Sequence, residues 1–306
     1  MFNLVGFQPP SHTPRVGDAG TQIAGISTFS GTSGIVLPSG GTGGRYTTQN
    51  LKGYITDSLI AHFDPATYQL NQSSPLLWAS TTSNGVVGQF PATTNIPTWN
   101  SGGYFTYDGS NDYLTMDQIH NPKYLTSGCA WTIDGWFKTN ITNESGHTNT
   151  FVSFHSYNGT NVIRWSPMAN TSGGMFYDDN SGSDMSGVAG GQEPHVYQYN
   201  NNTWVHVTLA RPEGIGFQET LVYRNGTQVA TANTSSNGLP RNDILMTNPI
   251  FESGGGLASI GQEYDGSPTA TDFFDGSIGP VSIYNKQLSA SEVLANHDVY
   301  KVRFGL

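Results

Sequence analysis

The sequence predicts an all-β fold: an antiparallel β-sandwich over residues 54–306 with one short C-terminal helix, preceded by an extended arm over residues 1–53. Two observations predict the sandwich. Thr, Val, Ile, Tyr and Phe recur in short runs cut by Gly, Asn and Ser, which is strand and turn chemistry. Within several runs apolar and polar residues alternate, giving each strand two unlike faces. A third observation marks the helix, because a single segment carries a full set of helix-start residues. Fifteen Tyr, fifteen Phe and six Trp can fill a core, and a charged fraction of 11% is too small for charge-driven disorder.

In chain order the arm comes first. FQPPSHTPR cannot hold a ladder, because proline lacks the amide donor. GTQIAGISTFSGTSGIVLPSGGTGGRY is mostly Gly, Ser and Thr, with Ile23, Ile26, Phe29, Ile35, Val36 and Leu37 scattered through it. So thin an apolar content does not offset the entropy of ordering the segment. The arm is therefore expected to be held by something else: its own sandwich, a second copy or another protein.

From Tyr54 onward the texture changes. In WTIDGWFK, Trp131, Ile133 and Phe137 share one face, while Thr132, Asp134 and Lys138 share the other, and Trp136 breaks the pattern by joining them. Val205, Val207 and Leu209 alternate with His206 and Thr208. Leu221 and Tyr223 lead into Asn225-Gly226, a strong hairpin signal because both residues tolerate positive φ, and Val229 lies on the return. Further Asp-Gly or Asn-Gly steps at Asp108-Gly109, Asn158-Gly159, Asp265-Gly266 and Asp275-Gly276 read as turns. Leu288-Ser-Ala-Ser-Glu292-Val293 is a capping box, with Ser289 as N-cap, Glu292 three residues on, and Leu288 and Val293 as the hydrophobic staple. The helix is expected from Ala290 to about His297, with Val293 and Leu294 against the sandwich.

GGYFTYDGSNDYLTM, WTIDGWFKT, NTWVHVTLAR, LVYRNGTQVA, SIGQEYDG and FFDGSIGPVSIYNKQLSASEVLANHDVYKVRFGL resemble, in order and spacing, the concanavalin A-like, laminin G-like jelly roll over roughly residues 100–303. The resemblance implies two antiparallel sheets of six or seven strands, one of them concave, with a short helix near the end. The jelly roll is also similar to those of structural proteins of tailed, notably marine, phages, and GTQIAGISTFSGTSGIVLPSGG resembles segments of such virion proteins.

The formal net charge of −10 opposes binding to nucleic acid or anionic membranes. No apolar run approaches the ~20 residues that span a bilayer. MFNLVGFQPPSHTPR lacks the basic start, apolar stretch and cleavage site of a secretory signal, so no such signal is read there. Cys129 is the single cysteine, which excludes an internal disulfide and is expected to be a buried, inert thiol. Sequons at Asn140, Asn158 and Asn225 follow from a composition rich in Asn, Ser and Thr rather than from glycosylation.

Hydrolases of this fold carry carboxylates that converge on a cleft from one strand face. Here WTIDGWFKT has a lone Asp134, and the nearest pair, Glu263 and Asp265, runs into Gly-Ser-Pro; no Ser-His-Asp context or His/Cys metal cluster is present. A non-enzyme is expected. Calcium is the one cofactor with candidates: Asp178, Asp179 and Asp184 place several oxygen ligands in one loop, as a hard cation needs. Asp108 and Asp112 do something similar, but turn formation accounts for them better. Sugar recognition would use aromatics to stack on pyranose faces, and Trp165, Tyr177, Tyr197 and Tyr199, with Phe176 and Trp204, lie in one long Gly-rich stretch. Packing under that loop or against a neighbouring subunit is the competing role. His62, His120, His147, His155, His195 and His206 are scattered singly, as surface or hydrogen-bonded core residues. The sequence thus points to a virion structural protein, anchored to other virion proteins through residues 1–53 and assembling as a homo-oligomer. A carbohydrate-binding adhesin for host glycans is the second reading, and a cleft hydrolase the third.

Overall fold

The computed structural model describes residues 26–28, 36–38, 53–68, 75–82, 86–116, 129–139, 149–156, 162–167, 175–178, 185–186, 202–213, 221–231, 256–264 and 269–306. The first strands in chain order are β1 (Ile26–Thr28), β2 (Val36–Pro38), β3 (Leu59–Phe63), β4 (Leu77–Ala79), β5 (Val87–Gln89), β6 (Thr98–Asn100), β7 (Tyr104–Asp108) and β8 (Leu114–Thr115). The middle of the chain supplies β9 (Trp131–Lys138), β10 (Val152–Ser156), β11 (Val162–Pro167), β12 (Met175–Asp178), β13 (Met185–Ser186), β14 (Val205–Arg211), β15 (Leu221–Arg224) and β16 (Thr227–Thr231). The last are β17 (Gly256–Ile260), β18 (Glu263–Tyr264), β19 (Ala270–Thr271) and β20 (Asp275–Tyr284), followed by helix α1 (Ala290–Phe304).

Two antiparallel eight-stranded sheets form the sandwich, in the orders β13-β12-β11-β10-β17-β8-β5-β4 and β16-β15-β14-β9-β20-β7-β6, with β3 also paired to β20. Each sheet exceeds the six or seven strands that the resemblance implies. In the second sheet the reason is β20, ten residues long, which pairs with β9 along one edge and divides its other edge between β7 and β3. Its register with β9 shifts between Ile278 and Val281, and Pro280, which has no amide to give a ladder, sits in that irregularity. Within residues 1–53, β1 and β2 pair antiparallel as a separate two-stranded sheet.

The inner faces form the core. Trp131, Ile133 and Phe137 of β9, Val205, Val207 and Leu209 of β14, and Val281 and Ile283 of β20 pack against Val152 and Phe154 of β10, Ala258 and Ile260 of β17 and Leu114 of β8. This is the alternation read from the sequence. Asn225 and Gly226 take φ of 48° and 77°, the left-handed pair that a two-residue hairpin requires, and join β15 to β16. Asp275-Gly276 is not a turn. It opens β20, and a Cβ at Gly276 would strike the backbone of Lys138 and Thr139, so glycine there admits a close neighbouring strand. Asp108-Gly109 does form a turn, while the steps at 158–159 and 265–266 lie outside the described residues.

Helix α1 begins as expected and ends later. Ser289 accepts from the Glu292 amide while the Glu292 side chain accepts from the Ser289 amide, and Leu288 and Val293 are both buried. The helix continues past His297 to Phe304, because Tyr300 and Phe304 extend its buried stripe and no breaker intervenes before Gly305, the left-handed C-cap. Lys301 and Arg303 stand in the last turn, where the helix dipole favours cations. The buried stripe is Val293, Asn296, His297, Tyr300 and Phe304. Leu294 lies about 100° around the helix from Val293 and remains 46% exposed, against the expectation that it docks. Cys129 is half-buried against the core rather than fully enclosed.

Candidate functional site

The outer face of the sheet containing β9 divides into a sealed part and an open part. Residues opposite the core in β9, β14 and β20 point outward, and α1 lies over them. Trp136, the pattern-breaking residue, stacks on His297 with centroids 5.5 Å apart and meets Phe304 at 4.8 Å. Its anomalous position is explained by a second apolar cluster beneath the helix, which includes Tyr54, Leu59, Tyr284, Leu288, Val293 and Tyr300.

Within that cluster runs a buried polar network. Asp134, 2% exposed, accepts from Thr208 Oγ1 at 2.5 Å and from Asn296 Nδ2 at 3.2 Å, and His206 Nε2 stands 2.9 Å from it. Tyr54 donates to Asp134 at 3.4 Å and is hydrogen-bonded to Ser282. His62 bonds Ser282 through Nδ1 at 2.7 Å and Tyr300 through Nε2 at 2.9 Å. Asn296 donates to Tyr284 OH at 2.9 Å, and Tyr284 donates to the Ile55 carbonyl at 3.0 Å. At the edge of the network Arg303 grips Asp64 with two bonds of 2.6 and 3.0 Å.

Burial dominates the electrostatics of this region. It pushes His62 down to about 4 and raises the phenols of Tyr54, Tyr284 and Tyr300. Burial also lowers His297, and His206 adds to the effect. For Asp64 burial acts to raise the carboxyl, but the Arg303 guanidinium outweighs it and the net shift is downward. The arrangement holds its charges rigidly and keeps them from solvent.

The open part lies past the C-terminal end of α1. Tyr104 of β7 and Trp204, just before β14, are half-buried and meet edge to face at 5.2 Å, and Trp204 rests on Phe304 at 4.2 Å. Lys138 Nζ lies 5.5 Å over the Trp204 ring and 5.8 Å over the Tyr104 ring. Thr106, Ser277 and Lys138 fall in one cross-strand row beside this shelf. Sequence reasoning had grouped Trp204 with the Gly-rich stretch and Lys138 with the polar face of its strand. It missed Tyr104, which only the pairing of β7 with β20 brings near.

The sequence-derived candidates are distributed differently. Trp165 of β11 pairs in register with Tyr177 of β12 and with Val152 of β10, a core position, whereas Arg164 pairs with Asp178 in the adjacent row with Ser153. Asp179, Asp184, Tyr197 and Tyr199 lie outside the described residues, as do His120, His147 and His195. His62 is a hydrogen-bonded core residue, and His206 is buried with its Nε2 2.9 Å from Asp134. Glu263, on β18 paired with β19, is buried at 2% exposure, and Asp265 lies outside the described residues. Asp108 accepts from the amides of Ser110 and Asn111, and Asp112 accepts from the Asp108 amide, which is the turn role. Burial, then the charge of Asp108, raises Asp112 to about 6. Among the described residues no group of three or more His, Cys, Asp or Glu could hold a metal ion, and no helix is long and apolar enough to cross a membrane.

Two packed antiparallel sheets with a capped helix on one outer face define a jelly-roll sandwich of the lectin and glucanase type. The chain belongs to the concanavalin A-like lectin/glucanases superfamily, whose laminin G-type family model (Laminin_G_3) matches residues 108–294, more than half of its length. No curated protein matches the chain by sequence. Among solved structures it is similar to domain 4 of AbnA, a GH43 extracellular arabinanase from Geobacillus stearothermophilus in complex with arabinotriose, at 15% identity, with 79% of this chain and 98% of that one covered and a TM-score of 0.45. It is similar to Trypanosoma rangeli sialidase in complex with the inhibitor DANA at 14% identity, covering 78% of this chain and 32% of that one, with a TM-score of 0.44. The receptor-binding domain of botulinum neurotoxin C/D mosaic serotype gives 14% identity, 80% and 52% coverage, and a TM-score of 0.48.

Proposed function

We propose that the chain is a non-catalytic virion structural protein of a tailed phage, a capsid decoration, fibre or knob module, anchored by residues 1–53 and displaying its sandwich outward. The observation that carries this reading is how the root of the arm is held. Tyr54 bonds Ser282 of β20 and Asp134 of β9, and Ile55 donates to Asn296 of α1 and accepts from Tyr284 of β20. A tether must pass load into the domain it holds, and these bonds join the root to the two central strands rather than to a free edge. The non-catalytic part rests on access. A general acid or nucleophile must reach its substrate, whereas Asp134 and Glu263 are each 2% exposed.

A carbohydrate-binding adhesin is the second reading, favoured by the half-buried shelf of Tyr104 and Trp204 with Lys138 above it. The leading reading is tested by deleting residues 1–53. The truncated protein is expected to keep its cooperative unfolding transition but to lose assembly in analytical ultracentrifugation, and an antibody to the sandwich is expected to label phage particles in electron micrographs. Outright unfolding of the truncated chain, or unlabelled particles with no change in assembly, sinks the proposal.

A further inference from the structure

The geometry points to an acidic-saccharide site on the open part of the β9 sheet's outer face, built on Lys138, Tyr104 and Trp204; this proposal rests on the glycan-binding reading above. Three polar groups belong to this shelf, the Lys138 ammonium, the Tyr104 hydroxyl and the Trp204 indole N–H, and none has a hydrogen bond or an ion pair among the described residues. Under α1, by contrast, Asp134, Thr208 and Ser282 of the same sheet, Asn296 of the helix and Tyr54 before β3 are joined by hydrogen bonds. The charge at the shelf is also distinctive. Lys286 pairs with Asp57 and Glu292, Lys301 with Asp298, and Arg303 with Asp64. Among the described residues Lys138 has no acidic partner, in a chain whose formal net charge is −10.

Such a cation, seated over two aromatic rings, is held in place and keeps its N–H groups for a ligand. Beside it Thr106 is exposed and Asn100 is half-buried; Asn100 donates to the Thr106 hydroxyl at 3.0 Å, and that hydroxyl lies 3.4 Å from the Ser277 hydroxyl. The chemistry fits a sugar with a carboxylate or sulfate on Lys138, apolar C–H faces against the exposed aromatic edges, and hydroxyls on Thr106 and Asn100. Asp108 and Asp275 oppose each other two positions further along the strands, on the same face, and repel an anion at that end, which fixes the direction in which the acidic sugar lies.

The experiment is a glycan array followed by calorimetry on the full chain, with carboxylated, sulfated and neutral glycans as separate arms. Lys138→Gln and Tyr104→Phe keep the packing, and a thermal scan of each establishes that it is folded. Wild-type protein is expected to bind glycans of one or both acidic arms and to weaken with added salt, with Kd raised roughly tenfold or more in Lys138→Gln and by a smaller factor in Tyr104→Phe. Acidic glycans bound equally by wild type and Lys138→Gln would place the site elsewhere and leave the adhesin reading intact. Binding of neutral glycans alone would refute the ligand class. No glycan bound at all would end both this site and the adhesin reading.

Discussion

Both faces of β9, β14 and β20 are buried where α1 covers the sheet, and they are buried by different chemistry. The inner face meets the opposite sheet through Phe137, Val207, Ile283 and their neighbours, with Phe151 and Phe274 completing an apolar interior. The outer face of the same three strands carries Asp134, His206, Thr208 and Ser282, and α1 covers them with Asn296, His297 and Tyr300. An apolar interior gains stability from area and dispersion with little directional demand. The polar interface is tolerated where its groups find partners, as Asp134, Ser282 and Asn296 do, and each bond specifies where the helix and the root of the arm must sit. One layer supplies bulk stability, and the other positions α1 and Tyr54.

That division can be broken from either side. Phe137→Ala removes a fully buried ring and is expected to cost about 3–5 kcal/mol in urea unfolding, spread over the whole molecule. Asp134→Ala strips the acceptor from Thr208, Asn296 and Tyr54 and is expected to cost about 3 kcal/mol. The two differ in kind: the second should first raise hydrogen exchange in α1 and at Tyr54 and Ile55, ahead of global unfolding. Exchange rising equally throughout β9, β14 and β20 would show that the faces are not separable.

Acid sharpens the comparison, because buried histidine lies on the outer face alone among the described residues. The folded pKa of His62 is about 4, below its ordinary 6.5, so the folded state resists the proton. Its contribution is fully present above pH 6.5 and is lost as pH falls from 6.5 toward 4, by up to about 3 kcal/mol. His297 shifts in the same direction. Asp112, raised to about 6, opposes them, since its folded form takes a proton more readily than the unfolded chain does. Asp64, with a lowered carboxyl, adds its loss only below the ordinary carboxylate range. His62→Gln is expected to flatten the fall of the urea midpoint between pH 6.5 and 4, and an unchanged slope would remove His62 from the account.

The inner face was legible because alternation is local: Val205, Val207 and Leu209 announce their side from spacing alone. The helix start was legible for the same reason, since Ser289 and Glu292 stand within one turn. The outer network was not. Its bonds join Tyr54 to Ser282, His62 to Tyr300 and Thr208 to Asp134, across 74 to 238 residues, and a polar residue bound for a buried partner looks the same in sequence as one bound for water. Trp136 was the one local sign, an aromatic on a face that otherwise read as solvated. The shelf was half legible. Trp204 and Lys138 stood out by type, but their meeting with Tyr104 depends on the order of β14, β9, β20 and β7 in the sheet.

The smallest expected effects test where the outer interface ends. Ser289→Ala removes the side-chain acceptor of the Glu292 amide and is expected to cost about 1 kcal/mol. Val293, fully buried one turn into α1, is expected to cost about 2 kcal/mol on truncation to Ala, since it belongs to the apolar cluster that holds Trp136 and Leu288. Leu294 is its neighbour in sequence but is 46% exposed, and it borders the Asn225-Gly226 turn, where a Cβ on Gly226 would come within 2.8 Å of its Cδ1. Leu294→Ala is therefore expected to shift stability by about 0.5 kcal/mol. The series is measured by urea unfolding at pH 7, in the full chain, with the Val293 and Leu294 variants compared directly. A loss at Leu294 matching that at Val293 would mean that α1 rolls by one residue onto the hairpin turn and that the stripe through Asn296, His297 and Tyr300 is not the docked face.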